Sequence, residues 1–181
     1  MERNVVYIAV FAALIAVLGL LPKFTLMSGI PITAQSLGIM LCGTILGAKR
    51  GALAVLLFLA LVAIGLPLLA GGRGGLGVFT TPWAGFLFGF PVAAFIAGFV
   101  MERTHNLNIG VLATIAAIIG GIVALYAIAI PYYMVGAGVG LWDAMITMSP
   151  FMPGDLIKTV LAGLITGGLY NTRPNAVLSR L

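Results

Sequence analysis

The chain has 181 residues, of which 62% are hydrophobic and 7% charged, with a mean hydropathy of +1.22 and a formal net charge of +5. Soluble domains carry about 25% charged residues, so this composition excludes a soluble globular enzyme. The nine Lys and Arg residues are scattered singly or in one pair, which fits membrane topology better than a nucleic-acid-binding patch. Long apolar runs without alternating polarity are typical of membrane-spanning helices. We therefore predict an all-α membrane protein.

Six helical spans fit the apolar runs and predict a compact bundle that forms one domain over residues 1–181. The spans are expected at about 5–21, 32–46, 52–70, 83–101, 109–130 and 153–170. Pro22-Lys23 ends the first, and Thr80-Thr81-Pro82 predicts a cap and a first-turn proline for the fourth. A long segment through Tyr132, Tyr133 and Trp142 is expected to follow the fifth span.

The basic residues predict the orientation of this bundle in the membrane. With the N-terminus inside, six basic residues fall in cytoplasmic segments: Arg3, Lys49, Arg50, Arg103, Arg173 and Arg180. Only Lys23 and Arg73 fall in external segments, with Lys158 just inside the sixth span. Because cytoplasmic loops are enriched in Lys and Arg, we expect both termini to be cytoplasmic.

Two sequence motifs suggest nucleotide binding but lack the context that it needs. The run GGRGGLG at 71–77 contains G-x-G-x-x-G, yet it follows an apolar span and no acidic residue lies about 20 positions later. The run at 154–159 ends in Lys-Thr, but Ile157 stands where a P-loop needs glycine. His105 and Cys42 are the only residues of their types. We therefore expect no ATPase, no metal site and no cofactor in this chain.

Asp155 and Lys158 are the strongest candidates for a binding site. They lie three residues apart near the start of the sixth span, so both project from one helix face. Ionisable residues within a membrane segment are costly and usually face a cavity or a partner. The alternative is an internal salt bridge that stabilises the helix start, helped by Asp155 near the positive end of the helix dipole.

Further polar candidates lie near the same predicted side of the membrane. Arg73 stands among glycines, and Gly74 and Gly75 can bring backbone amides close to a ligand; the alternative is an exposed arginine that touches lipid phosphates. Thr33 and Gln35 open the second span, where helix–helix hydrogen bonding is the alternative.

Aromatic side chains can wall an apolar pocket beside these polar groups, although each alone is also typical of packing or of an interfacial belt. The aromatic candidates are Trp83, Phe86, Phe90, Tyr132, Tyr133 and Trp142. Together with the polar candidates they predict a pocket open to the outside. Such a pocket suits a small solute with an apolar body and a few polar groups.

Five short motifs occur along the chain in an order that resembles the BioY family, and the resemblance covers nearly the whole chain. They are PITAQ at 31–35, GAKRGA at 47–52, GLP at 65–67, GGRGGLG at 71–77 and PGDLIK at 153–158. BioY proteins are the substrate-binding (S) components of biotin energy-coupling-factor (ECF) transporters. One departure is TTPWAG at 80–85, where a sequence nearer Gly-Pro-Thr-Gly-Gly is expected.

The resemblance implies a subunit that captures biotin outside a bacterial or archaeal cytoplasmic membrane. It also implies partners, a transmembrane coupling protein and two ATPases, so that the chain itself is a transporter subunit and no enzyme. The ureido N–H groups of biotin need an acceptor such as Asp155, and its carbonyl needs a donor such as Lys158 or Gln35. Its carboxylate needs a cation or backbone amides, for which Arg73 and the glycine loop are candidates, and Lys158 could equally take it.

Small residues recur every fourth position in the first span, at Ala9 and Ala13 and again at Ala12 and Ala16. This spacing allows close helix approach, and in the BioY family such a patch resembles the surface that contacts the coupling protein. Internal packing within the bundle is the alternative. The competing hypothesis for the whole chain is a stand-alone facilitator or channel for a small solute, acting as an oligomer.

Overall fold

The computed structural model of the chain describes residues 2–21, 24–25 and 31–181, so the predicted end of the first span at Pro22-Lys23 lies outside the described residues. The helices, in chain order, are α1 (Glu2–Leu20), α2 (Gln35–Leu46), α3 (Ala48–Ala63), α4 (Ala84–Arg103), α5 (Ile109–Ile118), α6 (Leu125–Ala137), α7 (Leu141–Met148) and α8 (Met152–Thr172). A π-helical segment, Ile119–Ala124, joins α5 and α6 into one helix. Two strands of two residues each, β1 (Phe24–Thr25) and β2 (Pro31–Ile32), pair antiparallel between α1 and α2.

The predicted count of six main helices is confirmed for the described residues if the joined α5–α6 is counted once and the short α7 is set aside, and the fold is helical apart from the short β1–β2 pair. Three of these helices are long and apolar enough to cross a membrane: Glu2–Leu20, Ala84–Arg103 and Ile109–Ala137. The helix Gln35–Leu46 is apolar but shorter. The β1–β2 pair is the feature that the predicted pattern of spans did not include.

The third span was predicted at 52–70, but α3 is helical from Ala48 to Ala63. The sequence Gly65-Leu66-Pro67 explains the earlier end. Gly65 has a φ of 108°, and a residue that precedes proline is disfavoured in the helical region. Residues 64–75 consequently form a loop over one end of the bundle.

The predicted start of the fourth span is within one residue of α4, but its predicted cap and first-turn proline were wrong, and so was the predicted end of the fifth span. The hydroxyls of Thr80 and Thr81 donate to carbonyls of a 3₁₀ turn, Leu76–Thr80, and α4 starts only at Ala84 without a side-chain cap among the described residues. The fifth span continues through Pro131 to Ala137, so Tyr132 and Tyr133 are helical. Proline is tolerated inside membrane helices because neighbouring groups satisfy the freed backbone.

Close helix packing at small residues holds α2, α3 and α4 together. A side chain at Gly98 of α4 would collide with the backbone nitrogen of Ala48 and the carbonyl carbon of Gly47, where α2 turns into α3. Small residues allow helix backbones to approach this closely. The α2–α3 turn is thus seated directly against α4.

One end of the bundle, which we call the basic end, gathers most of the cationic side chains. Arg180 donates to the carbonyls of Met101 and Thr104 at 2.7 and 2.6 Å, and Arg50 donates to the carbonyl of Leu178 at 3.3 Å. These bonds bring the α2–α3 turn, the end of α4 and residues 174–181 to the same end. The basic residues there are Lys49, Arg50, Arg103, Arg173 and Arg180.

The contact at Gly98 predicts a stability difference between two Gly→Ala substitutions. Gly98→Ala forces backbone displacement and should destabilise the protein by about 1–3 kcal/mol. In the control, Gly168→Ala in α8, the added methyl group meets nothing within 4 Å and should be neutral or slightly stabilising. Thermal unfolding of both variants in detergent measures the difference, and equal midpoints would contradict the packing.

Candidate functional site

A cavity of about 250 Å³ lies at the end of the bundle opposite the basic end, where α2, α4 and α8 begin. Its polar lining comes from Thr33, Gln35, Ser36, Arg73, Thr81, Asp155 and Lys158. Its apolar lining comes from Leu69, Ala70, Val78, Trp83, Phe86, Leu87, Phe90, Leu125 and Phe151. One wall is therefore polar and charged, and the remainder is aliphatic and aromatic.

The Asp155 carboxylate is the centre of the polar wall. Its Oδ1 atom accepts hydrogen bonds from Lys158 Nζ at 3.0 Å and from Ser36 Oγ at 3.2 Å. Its Oδ2 atom accepts from the hydroxyl of Tyr126 at 2.8 Å. Lys158 Nζ also donates to Ser36 Oγ at 2.8 Å. A carboxylate that is only 5% exposed is thus fixed by donors from α2, α6 and its own helix.

The α8 sequence accounts for the position of this pair. Asp155 lies in the first turn of α8, near the positive end of the helix dipole, and Lys158 follows one turn later on the same face. Their ion pair has side chains that are 7% and 13% exposed. Such a buried pair is costly to break, because removal of one partner leaves the other without compensation.

Aromatic rings form part of the apolar lining of the cavity. Phe86 contacts Tyr126 edge-on at 5.7 Å between ring centroids and Phe151 at 5.8 Å. Trp83 lies 6.2 Å from Phe151 and 4.6 Å from Tyr133. Rings at these separations attract one another beyond simple burial, so the wall is held in shape before any ligand enters.

Gln35 lies in the cavity lining but uses its amide to connect backbone segments. Its Nε2 atom donates to the carbonyl of Leu68 at 3.0 Å and to that of Ile15 at 3.4 Å. Its Oε1 atom accepts from the backbone N–H of Ala70 at 3.1 Å. The side chain is 4% exposed and therefore ties α1, α2 and the loop after α3 into one unit.

The glycine-rich run forms a tight turn that presents Arg73 to the cavity. Leu69 and Arg73 exchange backbone hydrogen bonds at 3.0 and 3.3 Å, and Gly71 and Gly72 between them have positive φ values. Only glycine adopts such values freely. Arg73 is exposed as a residue, and its Nε atom donates to the carbonyl of Ala70 at 3.3 Å.

Seven of the ten candidate binding residues line this one cavity: Thr33, Gln35, Arg73, Trp83, Phe86, Asp155 and Lys158. The structure puts the other three beside it. Gly74 packs against the backbone of Leu66, the amide of Gly75 donates to the carbonyl of Val62 at 2.8 Å, and Tyr133 lies behind Trp83. Of the further aromatic candidates, Phe90 lines the cavity, whereas Trp142 is largely exposed elsewhere.

Sequence reasoning missed three residues that complete the site. Ser36 bridges Asp155 and Lys158, Tyr126 fixes the second carboxylate oxygen, and Phe151 joins the aromatic wall. Ser36 follows Gln35 directly, so the run of polar residues at the start of α2 could have indicated it. Tyr126 lies in an otherwise apolar span, where a buried hydroxyl needs a partner.

The four alanines of α1 do not share one surface. Ala9 and Ala13 are exposed, Ala16 is half-buried, and Ala12 is buried in the bundle. The exposed pair continues into a face with Val6, Val10 and Val17, which are each more than half exposed. The Ala12–Ala16 pair therefore serves packing within the bundle, and the Ala9–Ala13 pair lies on an open face.

Comparisons with known proteins show which family and which solved fold the chain resembles. The model of the BioY family matches residues 2–175. A biotin transporter BioY of Rhodobacter capsulatus is 51% identical over 99% of this chain and all of its own length, and one of Rhizobium etli is 52% identical over 90% of each chain. A crystal structure of the S-component for biotin from an ECF-type ABC transporter superposes with a TM-score of 0.85 at 30% identity, covering 94% of this chain and 92% of that one.

The fold defines a helical protein with several helices long and apolar enough to cross a membrane, and a cavity of solute size lies near one end of the bundle. The chain belongs to the BioY family, because the family model covers nearly all of it and two relatives matched over 90% or more of their length exceed half identity.

The hydrogen bonds of Gln35 predict a structural effect that needs no ligand. Gln35→Leu leaves the amide of Ala70 and the carbonyl of Leu68 unpaired in a buried place, so the ligand-free protein should lose about 1–3 kcal/mol of stability. Thr33→Val is the matched control, since Thr33 lines the same cavity without a hydrogen bond to the described residues. Thermal unfolding that is unaffected by Gln35→Leu would show that these bonds do not hold the loop.

Proposed function

We propose that the chain captures biotin and takes it up across the cytoplasmic membrane of a bacterium or archaeon, as the S component of an ECF-type ABC transporter. Membership of the BioY family and the likeness to a solved biotin S-component support this proposal. The observation that carries it is the cluster of Asp155, Ser36 and Lys158 in a cavity that is otherwise lined largely by apolar side chains.

The ureido ring of biotin matches the polar wall. It presents two N–H donors and one carbonyl acceptor, while Asp155 supplies acceptor oxygens and Lys158 and Ser36 supply donors within 3.2 Å of one another. Rearrangement of the existing hydrogen bonds lets the ring take part in the same network. A ligand that fits buried polar groups in this way is favoured over one that leaves them unpaired.

The sulfur-containing ring and the aliphatic chain of biotin suit the apolar walls, which include Trp83, Phe86 and Phe151. The carboxylate at the end of that chain then reaches Arg73, an exposed residue of the 69–73 turn that lines the cavity. We assign Lys158 to the ureido end because it is already committed to Asp155 and Ser36. The glycine turn acts in this proposal as the support for Arg73.

Membrane orientation follows from the positions of the charges. The basic end is assigned to the cytoplasm, together with both termini, because cytoplasmic segments are enriched in Lys and Arg. The cavity then opens towards the outside, where the vitamin arrives. The loop at 64–75, tied to α2 by the hydrogen bonds of Gln35, lies on that side.

Energy for uptake comes, in this proposal, from partners: a transmembrane coupling protein and two ATPases. The open face of α1 around Ala9 and Ala13 is the proposed docking surface, because exposed small residues four apart let a second helix approach closely. Reorientation of the loaded protein in the membrane would release biotin inside. The second hypothesis, a stand-alone facilitator or channel, needs a continuous path through the bundle.

Substitutions at the charged pair test the binding site. Asp155→Asn and Lys158→Ala should each weaken biotin binding to the purified protein by at least about 1–3 kcal/mol, since each removes a buried partner. Asp143→Asn, an exposed carboxylate in α7, is the control and should bind normally. Calorimetric titration measures the affinities, and unchanged binding by both site variants would refute the assignment.

Substitution of the open face separates binding from transport. Ala9→Leu with Ala13→Leu should leave biotin binding intact and abolish uptake by cells that carry the partner subunits, because the bulky side chains keep the coupling helix away. Ala127→Leu, at an exposed alanine of α6, is the control for added bulk in the membrane. Normal uptake by the double variant would exclude this face as the docking surface.

Vesicles that contain the purified chain alone distinguish the two functions. The S-component hypothesis predicts that biotin binds but does not accumulate at a sustained rate without the coupling protein and ATPases. Sustained biotin flux in their absence would favour the stand-alone facilitator.

A further inference from the structure

A second groove, of about 410 Å³, lies at the basic end between the start of α3 and the last turns of α4. Lys49 and Arg50 line it from α3, and Phe95, Phe99, Glu102 and Arg103 line it from α4. It is separated from the biotin cavity by the length of the helices, and the proposed transport of biotin makes no use of it.

The charge in this groove is predominantly positive. Three cationic side chains face one carboxylate, and Glu102 already accepts a hydrogen bond from the backbone N–H of Ala48 at 2.9 Å. Lys49 is exposed, and Arg103 is exposed with its guanidinium 5.1 Å above the ring of Phe99. Arg50 uses Nη1 for two backbone carbonyls, which leaves its Nη2 and Nε donors without a partner among the described residues.

The groove changes from charged to apolar along the helix axis. Phe95, Phe99 and Arg103 follow one another at intervals of four residues and thus share one face of α4. The two rings stack at 6.4 Å and are 42% and 45% exposed. On α3 the same order occurs, with Lys49 at the helix start and the exposed Leu53 one turn further in. Each helix therefore carries a cation at the basic end and exposed apolar side chains further along its axis, towards the middle of the bundle.

We propose that this groove binds an anionic phospholipid, with the phosphate between Lys49 and Arg103 and an acyl chain along Phe95 and Phe99. The proposal rests on the membrane placement given above, in which the basic end meets the cytoplasmic leaflet. A zwitterionic lipid lacks the net charge that three cations against one carboxylate favour. Basic pockets between helices on the cytoplasmic side suit anionic headgroups, and the exposed rings supply contact that a free phosphate ion cannot use.

Native mass spectrometry of the purified protein, titrated in detergent with phosphatidylglycerol or with phosphatidylcholine of the same acyl chains, tests the proposal. The parent protein should retain phosphatidylglycerol in preference. The double variant with Lys49→Gln and Arg103→Gln should weaken retention of phosphatidylglycerol about tenfold or more, because each basic residue near an anionic headgroup adds to the binding free energy. Arg173→Gln removes a charge at the same end but outside the groove and should retain the lipid as the parent does.

Three results would overturn the proposal: equal retention of the two lipids by the parent, equal loss in the double variant and the Arg173→Gln control, or displacement of phosphatidylglycerol by inorganic phosphate at the same concentration. The last would identify a site for the phosphate group alone. Biotin binding is measured on the same samples. If the parent protein does not bind biotin, the proposed function is contradicted, and the lipid result is judged separately.

Discussion

The hydrogen-bonded Asp155 carboxylate is the feature on which the rest of the site depends. An ionisable group inside an apolar helical bundle is expensive unless its partners are close, and here Lys158, Ser36 and Tyr126 provide them from three helices. The same contacts fix how α2 and α6 stand against α8 at this end of the bundle. Because Asp155 also faces the cavity, the interaction that orders these helix ends is the one that a polar ligand meets.

The two ends of the bundle are stabilised by different contacts. At the cavity end, Gln35 fixes the loop that follows α3, and the 69–73 turn carries Arg73 at the rim. At the basic end, helices pack directly at Gly98, and Arg180 satisfies the last carbonyls of α4, which helix termini otherwise leave unpaired. One end therefore keeps an open space lined with polar groups, while the other is closed by backbone contacts and arginine hydrogen bonds.

Much of this arrangement was predictable from the sequence, because the apolar runs determine the number of helices and ionisable residues within them are rare. The i, i+3 spacing of Asp155 and Lys158 therefore predicted that the two side chains share one helix face, and both line the cavity. Sequence reasoning failed where tertiary contacts override local signals: Thr81 resembles a helix cap but bonds to Val78, and Pro131 does not end its helix. It also could not tell that Tyr126 donates to a residue 29 positions away, or that Ala12 points inwards while Ala9 does not.

A structure of the protein with biotin bound tests the central proposal most directly. The ureido ring should lie within hydrogen-bonding distance of Asp155, against the rings of Phe86 and Trp83, with the carboxylate towards Arg73. A ligand that enters in the reverse direction, with its carboxylate at Lys158, or one bound outside this cavity, would contradict it.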